Sequence, residues 1–138
     1  MTEHGGSCLC GQVRFEIDGT LGEIGHCHCR MCQKAHGAAY ATYVNVPLDR
    51  VRFVAGEAEI GRYESSPGII RTFCRQCGST LQFLREGAVN IGVAAAALDT
   101  DPGQDVSYEI WTLSAAPWGH RDELPLTHPT QPGKVGGG

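Results

Sequence analysis

Cys8-Leu9-Cys10-Gly11-Gln12-Val13-Arg14-Phe15 and Cys74-Arg75-Gln76-Cys77-Gly78-Ser79-Thr80-Leu81-Gln82-Phe83 are two versions of one local pattern. Each sets a glycine after its last cysteine and an alternating apolar run after the glycine. Glycine at that place permits a positive φ, which lets backbone N–H groups turn toward the preceding sulfurs. Two such knuckles, each leading into a strand, predict one closed zinc site made by Cys8, Cys10, Cys74 and Cys77. That site would fasten the first strand to the middle of the chain.

The chain has seven cysteines, an odd number, and none is isolated. They fall as Cys8-x-Cys10, Cys27-x-Cys29-x-x-Cys32 and Cys74-x-x-Cys77. Disulfides do not require such tight clustering, whereas a metal that draws two thiolates from one turn does. Pairing Cys29 and Cys32 with Cys74 and Cys77 would make a ribbon-like site but leave Cys8, Cys10 and Cys27 over. The middle cluster also lacks the knuckle glycine, because Gln33 and Lys34 follow Cys32. Cys27, Cys29 and Cys32 therefore remain as three ligands from one short loop, with an open position of the kind that catalytic zinc keeps. Two zinc ions per chain are expected. His26, His28 and His36 lie close by. A solvated or backbone-bonded loop role is expected for His28 and His36. His26 stays open as a fourth ligand, which would make both sites structural.

Working outward, 138 residues with 41% hydrophobic and 19% charged content suit one soluble domain spanning 1–138. A net charge of −4 and the lack of a basic run give no footprint for nucleic acid. No signal-like or membrane-length apolar stretch is evident, so the expected location is the cytosol, away from membranes. Val13, Phe15 and Ile17 alternate with Gln12, Arg14 and Glu16, the mark of a half-buried strand. Further strands are expected over 39–46, 51–54, 69–73, 81–84, 89–93 and 106–113. Val46-Pro47, Ser66-Pro67-Gly68 and Asp101-Pro102-Gly103 supply turns. A turn or two of helix is expected over 30–36, while 94–98 is ambiguous. The fold class is mainly β, with an irregular tail from about 119 and a frayed Gly136-Gly137-Gly138 end.

Three thiolates feed charge onto a divalent centre and make it a weaker Lewis acid than a three-histidine zinc. Such a soft centre matches a fourth sulfur ligand better than a hydrolytic water. An incoming thiol would lose its proton on binding. The expected chemistry is therefore carbon–sulfur bond making or breaking on a small-molecule thiol. Arg30 and Lys34 flank the open site and are candidate contacts for the carboxylates of an anionic thiol such as glutathione. Lone basic residues are nevertheless most often solvated surface charges. Trp111 and Trp118 are candidates for a pocket wall, though packing is their commoner role. No Ser/His/Asp order, phosphate-cradling loop or paired-carboxylate pattern stands out.

These motifs resemble the glutathione-dependent formaldehyde-activating enzyme (GFA, or CENP-V/GFA domain) family. Gly6-Ser7-Cys8-Leu9-Cys10-Gly11-Gln12-Val13-Arg14-Phe15 is similar to its opening motif. His26-Cys27-His28-Cys29-Arg30-Met31-Cys32-Gln33-Lys34 is similar to the second, and Phe73-Cys74-Arg75-Gln76-Cys77-Gly78-Ser79 to the third. Leu98-Asp99, Ile110-Trp111 and Ala116-Pro117-Trp118 extend the likeness along nearly the whole chain. The resemblance implies an Mss4-like fold of antiparallel β-sheets around a structural zinc, with Cys27, Cys29 and Cys32 at a catalytic zinc. It also implies condensation of glutathione with formaldehyde to S-hydroxymethylglutathione, a carbon–sulfur lyase reaction written in reverse. A non-enzymatic zinc-stabilised binding module is the alternative, since fold alone does not fix function. A thiol-based redox or metal sensor is a third.

Overall fold

The computed structural model describes residues 2–119 and 126–130. It is mainly β and divides into two compact units. The first comprises Met1–Gly22 and Val44–Gly103, and the second Glu23–Tyr43 and Gln104–Gly138. No helix among the described residues is long and apolar enough to cross a membrane.

The first unit holds a three-stranded antiparallel sheet in the order β1 (Thr2–Ser7), β2 (Arg14–Asp18), β5 (Val51–Ala55). The expected alternation is realised in β2: Val13, Phe15 and Ile17 are buried, and Arg14 is exposed. Phe15 is paired with Phe53 on β5 and meets it edge-on, with ring centroids 6.1 Å apart. A second antiparallel run contains β6 (Ile60–Ser66), β7 (Ile69–Cys74), β8 (Thr80–Arg85) and β9 (Asn90–Ala94). Its buried side chains include Ile69, Leu81, Ile91 and Val93. The turn at Ser66-Pro67-Gly68 joins β6 to β7, with Gly68 at φ 78°.

The second unit contains β3 (Ile24–Cys27), α1 (Arg30–His36), the start of β4 (Ala41–Pro47), β10 (Val106–Ile110) and β11 (Leu126–Thr127). Here β10 pairs in parallel with both β3 and β11. The buried residues of this unit are unusually polar, because His28, Gln33 and Glu109 lie among Ile24, Cys27, Cys32 and Ala41. Seven residues are too few to hold a helix alone, so α1 depends on its ends and its packing. Cys29 caps its start, and Gly37 ends it in the left-handed region at φ 59°.

Four strands, β1, β3, β6 and β11, escape the sequence analysis. The first three each contain at least one glycine, and their apolar alternation is weak or absent. Pairing with a stronger neighbour makes them strands. The segment 94–98 resolves as a short 3-10 turn over Ala95–Ala97. The strand expected over 106–113 stops at Ile110, because Trp111 adopts φ 60°. In the tail, Leu126–Thr127 is a strand, while the Gly136-Gly137-Gly138 end lies outside the described residues.

Some of these glycines are required by close approach. Gly6 faces Phe15 across β1 and β2, and a Cβ there would stand 2.1 Å from Phe15 Cζ. Gly61 repeats the arrangement against Phe73, and Gly25 against Tyr108. Gly5, one residue away from Gly6, would meet only the Phe15 carbonyl oxygen at 4.0 Å. Gly6→Ala is therefore expected to destabilise the protein by about 1–3 kcal/mol through overpacking. Gly5→Ala is expected to stay within about 0.5 kcal/mol of the parent. Urea unfolding of the two variants checks this, and equal midpoints would show that the glycine–aromatic contact is not what selects Gly6.

Candidate metal centres

In the first unit, Cys8, Cys10, Cys74 and Cys77 form one cluster whose sulfurs all lie within 4.8 Å of one another. Cys8 and Cys10 Sγ are 3.6 Å apart, and Cys10 and Cys74 Sγ are 3.9 Å apart. A tetrahedron with metal–sulfur bonds of about 2.3 Å has edges of about 3.8 Å, so this donor set fits a tetrahedral cation. The two knuckles have the shape their glycines allow. Gly11 and Gly78 sit at φ 81° and 79°, and their N–H groups return to the carbonyls of Cys8 and Cys74. Leu9 N–H donates to Ser79 Oγ at 2.8 Å, tying one knuckle to the other.

Backbone donors also prepare the sulfurs for charge. Val13 N–H donates to Cys8 Sγ at 3.3 Å. The Ser79 hydroxyl and N–H, with the N–H of Cys10, hold Cys77 down at about 5. At Cys10 the Gln12 N–H acts the same way, but burial and the sulfurs of Cys8, Cys77 and Cys74 outweigh it and push the thiol up to about 11. Four clustered thiols thus do not ionise together by themselves. A cation among them removes the conflict.

In the second unit, Cys27, Cys29 and Cys32 form the other cluster, again with all sulfurs within 4.8 Å. Among the described residues no histidine nitrogen or carboxylate oxygen joins it. The cluster is made where β3 ends and α1 begins. Cys27 is the last residue of β3, and Cys29 caps α1, its Sγ accepting the Cys32 N–H at 3.3 Å. The sulfurs of Cys29 and Cys32, together with burial, drive the Cys27 pKa far above that of an ordinary thiol. Three sulfurs this close likewise suit a cation.

Around that loop the structure departs from expectation. His28 is not a solvated histidine: it is buried, and its Nε2 donates to Glu109 Oε1 at 2.8 Å. His36 shares a hydrogen bond with Tyr43 Oη at 2.9 Å. His26 is half-buried, bonds Thr42 Oγ1 through Nδ1 at 2.9 Å, and stacks obliquely on Tyr40 with centroids 4.1 Å apart. Burial, reinforced by His28 and opposed by Glu109, lowers its pKa. Two side chains escaped the sequence analysis altogether. Gln33 is buried, and its Nε2 donates to the carbonyls of His28 at 2.6 Å and Ser114 at 2.9 Å. Glu109 is the other, and a lone acidic residue in a strand with no spacing to a partner gives no signal.

Arg30 and Lys34 lie on α1 and are exposed. Arg30 Nη1 donates to Gln33 Oε1, so its guanidinium also braces the loop. Trp111 is the one non-glycine residue with positive φ among those described. Holding a bulky residue there costs about 1–3 kcal/mol. The turn it makes leads into Thr112–Ser114, whose last carbonyl accepts from Gln33.

The family model for the glutathione-dependent formaldehyde-activating enzyme matches residues 3–114. An uncharacterized lyase of Schizosaccharomyces pombe is 28% identical over 83 residues, which are 60% of this chain and 58% of the yeast protein. The chain thus spans under two thirds of that relative's length. A Rhodobacter sphaeroides crystal structure from structural genomics superposes with a TM-score of 0.60 at 26% identity, covering 73% of this chain and 90% of the other. Matched over most of its length by that model, and carrying the cysteine clusters just described, this chain belongs to the glutathione-dependent formaldehyde-activating enzyme (GFA) family.

Proposed function

We propose that the protein is a zinc-dependent carbon–sulfur lyase acting on thiol–aldehyde adducts. In this reading 1–138 works as one functional domain in the cytosol, where free cysteines persist. One zinc is held by Cys8, Cys10, Cys74 and Cys77 for structure, and a second by Cys27, Cys29 and Cys32 for catalysis. The observation that carries the proposal is the second cluster: three sulfurs converge, and no fourth side-chain ligand joins them among the described residues.

Zinc bound there supplies a soft Lewis acid that favours an incoming thiol in its thiolate form. In the forward reaction a carbon–sulfur bond forms between thiol and aldehyde carbon, and the thiol proton ends on the former carbonyl oxygen. Cleavage is the reverse. Cys27, Cys29 and Cys32 set the charge of the site, while Gln33 and the cap of α1 hold the loop in shape. Arg30 and Lys34, exposed on α1, are the cations available to the carboxylates of glutathione. Membership of the family supports this substrate class, and the relative named a lyase supports the reaction class.

The purified protein is expected to contain two zinc ions. Cys74→Ser should lose one and cost several kcal/mol, a large part of a typical total of about 5–15 kcal/mol. Cys29→Ser should lose the other and leave the unfolding temperature nearly unchanged, because its cluster is local. Metal analysis with thermal unfolding checks both, and a single zinc that survives Cys29→Ser would end the two-centre assignment.

Exchange NMR with glutathione and formaldehyde should show faster formation and cleavage of the adduct than in buffer. Cys32→Ser should remove the acceleration, and Arg30→Ala with Lys34→Ala should weaken glutathione more than an uncharged thiol. No acceleration by fully zinc-loaded protein with several thiols and aldehydes would favour a binding module instead.

A further inference from the structure

The buried pair His28–Glu109 has no part in the chemistry above. Both side chains are about 1% exposed. Burying a carboxylate is unfavourable unless its oxygens are matched, and here each has a partner. Glu109 Oε1 accepts from His28 Nε2 at 2.8 Å, and Oε2 accepts from Thr127 Oγ1 at 3.1 Å. Thr127 belongs to β11, the short parallel strand beside β10, which lies beyond the residues 3–114 matched by the family model. His128 N–H donates to the Glu109 carbonyl at 2.9 Å, and Thr112 N–H donates back to the His128 carbonyl at 3.2 Å. The tail segment is thereby laced to Glu109 and to Thr112 just after β10.

The aim of Glu109 depends on a bulge. The register of β10 against β3 slips between Val106 and Tyr108, so Ser107 is an extra residue. Beyond it, Glu109 stands opposite His26 and Ile110 opposite Cys27. Without the extra residue, the two-residue period of a strand would turn Glu109 to the other face. Ser107 Oγ is buried with no hydrogen-bond partner among the described residues.

His28 sits between Cys27 and Cys29, and it is held at three points. Its side chain meets Glu109, its N–H donates to the Ile110 carbonyl at 3.0 Å, and its carbonyl accepts from Gln33 Nε2. We infer that Glu109, locked by Thr127 of the tail, is a positioning residue for the open cysteine centre. Through His28 it fixes the backbone 27–29 so that Cys27 and Cys29 present their sulfurs toward Cys32. This inference rests on the metal-binding reading of that cluster. It assigns to the tail strand a part in building the site.

The test is metal affinity at each centre, measured by chelator competition on full-length protein, with the thiolate-to-cobalt absorption of the cobalt-substituted form as a second readout. Glu109→Ala is expected to weaken the Cys27/Cys29/Cys32 centre by about 10–100-fold, as loss of a residue supporting a ligand commonly does. The Cys8/Cys10/Cys74/Cys77 centre should keep its affinity. Thr127→Val, a milder change that keeps the fold if Glu109→Ala does not, should weaken the same centre in the same sense. Glu109→Gln retains an acceptor for His28 and should recover most of the affinity. Unchanged affinity at the second centre in both Glu109→Ala and Thr127→Val would overturn the inference, as would equal weakening of both centres. Parent protein that binds one metal only would remove the metal reading itself, and the positioning role with it.

Discussion

Seven thiols gathered into two clusters repel one another as soon as they ionise, and that repulsion is the constraint on which this protein is organised. In the tetrad the Ser79 hydroxyl and N–H hold Cys77 low, while burial and the neighbouring sulfurs leave Cys10 high although it too receives a backbone N–H. In the triad the sulfurs of Cys29 and Cys32 drive Cys27 far above the usual thiol range. A divalent cation converts each conflict into an attraction. The sulfur spacings of 3.6 and 3.9 Å already match the edges of a thiolate tetrahedron.

The two clusters are built by different means, and the difference suits different work. The tetrad joins segments 64 residues apart in the chain, so anything held there cross-links the fold of its unit. Its knuckles have glycines at φ 81° and 79°, and a serine hydroxyl joins one to the other. The triad comes from six consecutive residues at a strand-to-helix junction, which is too little chain to shape itself. Its support is borrowed from polar groups buried beneath it: Gln33 on two carbonyls, and Glu109 on His28. A cluster of three sulfurs with no fourth side-chain donor among the described residues depends on such bracing for its shape.

The buried polar groups also explain the departures from regular structure in the second unit. An unsatisfied buried carboxylate or amide is costly, so chain segments are bent to meet them. Trp111 accepts a left-handed conformation, Ser107 is bulged out of register, and a two-residue strand from the tail is laid against β10. Each of these lies near, or contains, a residue that bonds a buried polar side chain or carries one.

Much of this was legible in the sequence. The alternation of Val13, Phe15 and Ile17, the knuckle glycines after Cys10 and Cys77, and the residues after Cys29 identified a mainly β chain, two cysteine groups and the helix α1. These signals are local: period and the φ of a knuckle glycine act within a few residues, and the order of neighbouring residues carries them. The strands β1, β3 and β6 were not legible, because glycine-containing segments with weak alternation become strands only when a partner lies beside them. Nor was Glu109, which is 81 residues from His28 and marked by no motif. Whether a histidine is solvated or buried against a carboxylate depends on which strands are neighbours and in which register, and a one-residue bulge at Ser107 reverses the answer. The sequence by itself determined which sulfurs would gather into two groups; the tertiary structure alone decided what holds those atoms in place, since a buried charge finds its partner only through the packing of distant segments.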